Sequence, residues 1–195
     1  MGADHVPLLP EPAPLQLARL GGFPASFAID LARRLSRRLS VPCRVLPDLV
    51  GGELPRLQAR EQVDADAVLA QLEAAAASPG PLVGLTDLDI AIPIFSFVFG
   101  RARHGGRAAL VSVARLDAAF YGLPPDAGLL AGRAVNEILH ELGHVGGLLH
   151  CKDPDCLMKF AASVEAVDLR GGTFCVSCAS LLPRWLRATV PLGQR

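Results

Sequence analysis

Residues 140–158, HELGHVGGLLHCKDPDCLM, hold three histidines, a glutamate, two cysteines and a methionine. These side chains are the borderline and soft metal ligands, and such density is hard to explain by packing. On a helix, His140 and His144 are four residues apart, project from one face and can share an ion. Gly147 can take a positive φ just past the helix end, turning the chain so that His150 returns to the same ion. The spacing therefore predicts a three-histidine site of the kind that holds a catalytic zinc and leaves one position open. Zinc held this way lowers the pKa of its water to ~7, and Glu141 is the carboxylate placed to take the proton. The expected chemistry is hydrolysis of a peptide bond, with Glu141 as general base and acid.

Four cysteines form a second set. Cys151 and Cys156 are separated by four residues, Cys175 and Cys178 by two, and paired thiolates are the usual donors of a closed structural zinc site. Disulfides and an iron–sulfur cluster are the alternatives; a reducing compartment disfavours the first, and the spacing fits no common motif for the second. Cys43, alone in an apolar strand, reads as core.

The elements that must position these groups follow from periodicity. SFAIDLARRLSRRL carries helical spacing, with Arg33, Arg34, Arg37 and Arg38 as its solvated face. VPCRVLP reads as a short strand and EQVDADAVLAQLEAAAA as a second helix. LVGLTDLDIAI, FSFVFG and AALVSVARL are three strand candidates. PPDAGLLAGRAVNEILHELGHVGG is one long helix, with Leu130, Ala134, Ile138, Leu142 and Val145 near one stripe, stopping at Gly146 and Gly147. AASVEAVDLR is a short helix, and a C-terminal segment with Trp185 follows. The fold class is α/β of the α+β kind. It comprises a proline-rich arm over residues 1–22, an upper lobe over 23–147 and a C-terminal lobe over 148–195, making a single catalytic domain.

Composition removes several classes. Basic and acidic residues are 19 each, so no net field gathers nucleic acid, and the cysteine region lacks the basic stripe and stacking aromatics of a zinc ribbon that binds nucleic acid. The N-terminus shows no basic start before an apolar run, so a cytoplasmic location is expected. The longest apolar stretch, residues 81–100, contains Asp87, Asp89 and Pro93, which makes a poor membrane span. Asp87 and Asp89 read as the polar face of a strand, Tyr121 as packing, His104 as a solvated turn, and His5 as part of the arm.

The run His140-Glu141-x-x-His144-x-x-Gly147-x-x-His150-Cys151, then Cys156, Met158, Cys175 and Cys178, closely resembles the signature of the archaemetzincins, a family within the metzincin metallopeptidases. GLTDLDI, FVFGRA, VSVARL and SVEAVDLR also resemble segments of that family, so the likeness covers roughly residues 60–178. It implies a compact metzincin-like fold with a twisted mixed sheet, a catalytic zinc on the active-site helix and a second zinc on the cysteines, two ions per chain. Met158 would be the methionine of the turn beneath the histidines, and the peptide or protein substrate would lie against an edge strand near FSFVFG. Sixteen residues separate Met158 from Cys175, about one fewer than the commonest family spacing, a difference a loop absorbs. The competing function is a zinc-containing peptide-binding module with little turnover. Oligomeric state and substrate preference are not legible at this level.

Overall fold

The structure, a computed structural model, describes residues 13–48, 53–58, 60–77, 79–183 and 186. Five strands build the main sheet: β1 (Leu15–Arg19), β2 (Cys43–Leu46), β4 (Leu82–Thr86), β6 (Gly100–Ala102) and β7 (Ala108–Ser112). Their order is β2-β1-β4-β7-β6; the first four are parallel, and β6 runs antiparallel to β7 at the edge. The short strands β3 (Val63–Asp64) and β5 (Ile90–Ala91) pair in parallel apart from it.

Central parallel strands are covered on both faces, and β4 and β7 are buried at every residue. Alternate side chains divide between two cores. Leu17, Val83, Leu85, Ala109 and Val111 face α1 (Ala25–Leu39) and α3 (Ala127–Val145). Ala18, Leu20, Leu82, Ala108 and Leu110 pack with Val68, Leu69 and Leu72 of α2 (Ala65–Ala75). Each fully buried leucine contributes about 1.5–3 kcal/mol, so a one-residue slip of either strand would exchange the two cores. Asp64 caps α2 by accepting from the amides of Asp66 and Ala67, and Asp126 caps α3 by accepting from Leu129. After α3 come α4 (Val164–Leu169) and α5 (Val176–Leu181). No described helix is long and apolar enough to cross a membrane.

Several expectations change. The arm expected over residues 1–22 lies outside the described residues up to residue 12, but Leu15–Arg19 is an inner strand of the sheet, paired on both sides. Its LQLAR pattern is too short beside four prolines to announce a strand, and burial between β2 and β4 decides the matter. FSFVFG is not a strand: residues 95–99 are irregular and only Gly100 enters β6. LVGLTDLDIAI divides into β4 and β5, and AALVSVARL ends as a strand at Ser112. Arg38 is not fully solvated; its guanidinium donates to the Gly172 carbonyl and to Asn136 Oδ1 at 3.4 Å. Trp185 lies outside the described residues.

Candidate metal centre and cleft

Helix α3 carries the first part of the site. His140 and His144 meet at 3.2 Å between their Nε2 atoms, four residues apart on one face. Gly147 has φ +89°, a conformation that favours glycine, and the chain turns there so that the His150 ring stands 5.3 Å from His140 and 4.9 Å from His144. His140 Nδ1 donates to the Leu157 carbonyl at 2.8 Å and His144 Nδ1 to the Leu148 carbonyl at 2.7 Å, which leaves each Nε2 lone pair facing the cluster. Two nitrogens on one tetrahedral zinc, each ~2.0–2.1 Å from it, lie ~3.4 Å apart, so the spacing of His140 and His144 fits that ion.

The cysteines also converge. Cys151, Cys156, Cys175 and Cys178 offer ligand atoms within 4.8 Å of one another, and no disulfide joins them. Cys151 Sγ and Cys175 Sγ are 3.9 Å apart, close to the ~3.8 Å of two sulfurs on a tetrahedral zinc. Cys43, half-buried on β2 and packed against the core, belongs to neither cluster, and burial pushes its thiol up to about 12.

Met158 is fully buried beneath α3. A Cβ at Gly143, between the two helical histidines, would lie 2.4 Å from the Met158 sulfur, so the thioether packs directly under that turn.

The histidines and Glu141 open into a cleft of about 510 Å³. Its walls are largely apolar, with Phe95, Phe97, Phe99, Leu149 and Phe160 on them, and β6 supplies Gly100, Arg101 and Ala102 along one side. Glu141 is only 4% exposed. Burial and then the charge of Glu137 hold its carboxyl well above the usual range, which makes its carboxylate a stronger proton acceptor.

Burial also depresses the three imidazoles: His140 well below its ordinary value, with help from Arg170 and His144; His144 to about 4; and His150 more mildly. Neutral imidazoles are the form that binds metal. In the metal-free protein the unfolded chain therefore binds more protons at these histidines between about pH 4 and 6.5, and stability falls as pH is lowered through that window. Glu141 acts in the opposite sense, since its folded form holds a proton longer, but three histidines outweigh one carboxyl. The melting temperature of chelator-treated protein should drop steadily from pH 7 to pH 5; a flat profile would contradict the depressed imidazoles.

Five polar contacts around the site were not read from the sequence. Arg170 and Glu137, both at least 95% buried, form an ion pair through Nη2 and Oε2, and Arg170 Nη1 reaches 3.2 Å from His140 Nδ1. Arg133 is bidentate to Asp168 at 2.7 and 2.5 Å, so two ion pairs of opposite sense join α3 to the end of α4. His104 sits in an exposed turn, as expected, and is tied down there: its Nε2 lies 2.8 Å from the Gly147 carbonyl, and the Gly105 amide donates to His144 O at 3.0 Å. Arg133 and Glu137 do fall on the helical stripe that leads to His140 and Glu141, which was the available signal. Their partners lie more than thirty residues away, beyond any helical period.

Asp89 is bidentate to Arg115 at 2.7 Å through both oxygens, and Tyr121 donates to the Arg115 carbonyl at 3.0 Å. Neither lines the cleft, in keeping with structural roles.

The model of peptidase family M54 matches residues 58–184. Archaemetzincin from Aeropyrum pernix is 35% identical over 169 residues, covering 83% of this chain and 88% of that protein. Archaemetzincin from Pyrococcus horikoshii is 45% identical over 102 residues, 52% of this chain and 54% of its own length, so the chain matches only about half the length of such curated relatives. Among solved structures, a zinc-dependent peptidase from Methanocorpusculum labreanum superposes with a TM-score of 0.77 at 27% identity, covering 87% of this chain and 100% of that one. Archaemetzincin from Methanopyrus kandleri gives 0.74 at 36% identity, covering 90% and 96%. A family match over residues 58–184, a relative 35% identical over 83% of the chain and a solved structure of the same family that superposes over 90% of it agree, and this chain belongs to peptidase family M54, the archaemetzincins.

Proposed function

We propose that this chain is a zinc-dependent peptidase in which His140, His144 and His150 hold the catalytic ion and Glu141 is the general base and acid. The observation that carries the reading is the convergence of three neutral imidazoles beside a buried carboxylate in one apolar cleft. Zinc bound there supplies polarisation of the scissile carbonyl and acidifies coordinated water. Glu141 takes a proton from the attacking water on its carboxylate and delivers it to the amide nitrogen as the C–N bond breaks. The apolar walls exclude bulk water and strengthen this exchange. β6 has no sheet neighbour on its outer side among the described residues, so an extended peptide can add to it through main-chain hydrogen bonds.

A second, structural zinc on Cys151, Cys156, Cys175 and Cys178 and a floor formed by Met158 complete the reading, with two ions per chain. All five cysteines are free thiols, which suits a reducing compartment such as the cytoplasm. The chain works as one catalytic domain: Leu157, Met158 and Phe174 of the lower lobe share a core with α1 and α3 of the upper.

Mass-spectrometric mapping of a diverse peptide library with zinc-loaded protein tests the function. Cuts should cluster beside bulky apolar residues, which match the phenylalanine-lined walls. Zinc-dependent peptide binding with no cuts at all would support the binding module instead.

A further inference from the structure

Gly100 opens β6 and pairs with Val111 across to β7. Its φ is not among the positive values, which belong to Gly21, Gly22, Gly105, Gly122 and Gly147 besides Ser40, so the backbone there accepts any residue. Space is the constraint. A Cβ at Gly100 would lie 2.6 Å from Glu141 Cγ, 2.6 Å from Glu141 Oε1 and 2.8 Å from Glu141 Cδ, far inside van der Waals contact. All three atoms belong to the Glu141 side chain. A larger residue therefore meets the Glu141 side chain before any backbone atom, and that side chain is the first group that must move.

We propose that Gly100 is a positioning residue: its missing side chain lets the edge strand lie directly on Glu141 and sets the carboxylate at the height where that strand presents a substrate amide. The inference rests on the reading of Glu141 as the general base. A methyl group at residue 100 drives the carboxylate away from β6 by about 1 Å, and misplacement of that size costs on the order of 10²-fold in rate.

The test compares zinc-loaded wild type, Gly100→Ala, Glu141→Gln, the Gly100→Ala/Glu141→Gln double variant and a control, Gly132→Ala. Gly132 sits on the exposed face of α3, where an added Cβ meets nothing within 4 Å. In Gly100→Ala, kcat should fall about 10²-fold, with KM changed less than about 3-fold and cobalt-substituted visible spectra of the histidine site unaltered. In the Glu141→Gln background the same substitution should cost nothing further, because a residue that acts only through Glu141 has no effect once the base is gone. Gly132→Ala should match wild type. Wild-type kcat in Gly100→Ala, an additive loss in the double variant, or loss of cooperative folding or of the cobalt spectrum would each overturn the proposal. If wild type cleaves no peptide, the proposed function fails first. A crystal structure of Gly100→Ala then decides the geometry: a displaced Glu141 carboxylate supports the proposal, and an unmoved one ends it.

Discussion

Glu141→Gln should lower kcat by about 10²–10⁴-fold while both metal clusters keep their zinc and the melting temperature stays within a few degrees of wild type. Glutamine preserves the shape of the side chain, so the close approach to Gly100 survives, but an amide cannot accept the proton that the attacking water must lose. The zinc should stay because Glu141 is absent from the group of converging nitrogens, which His140, His144 and His150 complete among themselves. Removing a carboxyl whose ionisation burial and Glu137 already disfavour also costs little folding energy. Steady-state kinetics beside metal analysis of the same preparation decides this. Activity within a few-fold of wild type would remove Glu141 from the chemistry, and loss of zinc from the histidines would assign it a ligand's role.

Cys175→Ser should have the larger effect on stability. Its thiol meets Cys151 at 3.9 Å and caps α5 by accepting from the Cys178 amide, and a serine hydroxyl restores the cap but not the thiolate donor. Loss of one donor from a closed site forfeits much of the folding energy that the ion contributes. A penalty of about 3–5 kcal/mol corresponds to a fall of roughly 10 °C in melting temperature for a chain of this size. The variant should also bind one zinc fewer. Between Cys151 and Cys175 lies the segment carrying Met158 and Arg170, which touch the turn under the histidines and His140 itself. Residual activity should therefore fall as well, through loosened support rather than lost chemistry. Cys43→Ser, at a protonated core thiol away from the clusters, should leave zinc content unchanged. A Cys175→Ser protein with full zinc and an unshifted melting curve would refute a structural ion at the four cysteines.

How much could be read in advance divides by sequence separation. The two histidines on α3, the glycine that ends the helix and the third histidine lie within a helical turn or a tight loop of one another, as do the two members of each cysteine pair, so spacing predicts those approaches; that the two pairs share one site follows from their ligand type. Helices α1, α2 and α3 announced themselves by amphipathic period and strong helix formers. Strands were less legible. Leu15–Arg19 looked like the end of a proline-rich arm, and a five-residue segment carries too little pattern to reveal that it sits between two others. FSFVFG is aromatic enough for a strand, yet Phe97 and Phe99 pack edge to face at 5.2 Å and the chain pairs with β7 only from Gly100.

By itself the sequence determined which atoms can bind metal, because ligand type and local spacing are properties of a few neighbouring residues. Tertiary structure alone decided what surrounds them. It set Arg170 and Glu137 behind His140, latched His104 to the Gly147 carbonyl and brought Gly100 onto Glu141. Those contacts join residues 33, 43 and 41 positions apart, and only the packing of α3 between the sheet and the lower lobe brings them within reach.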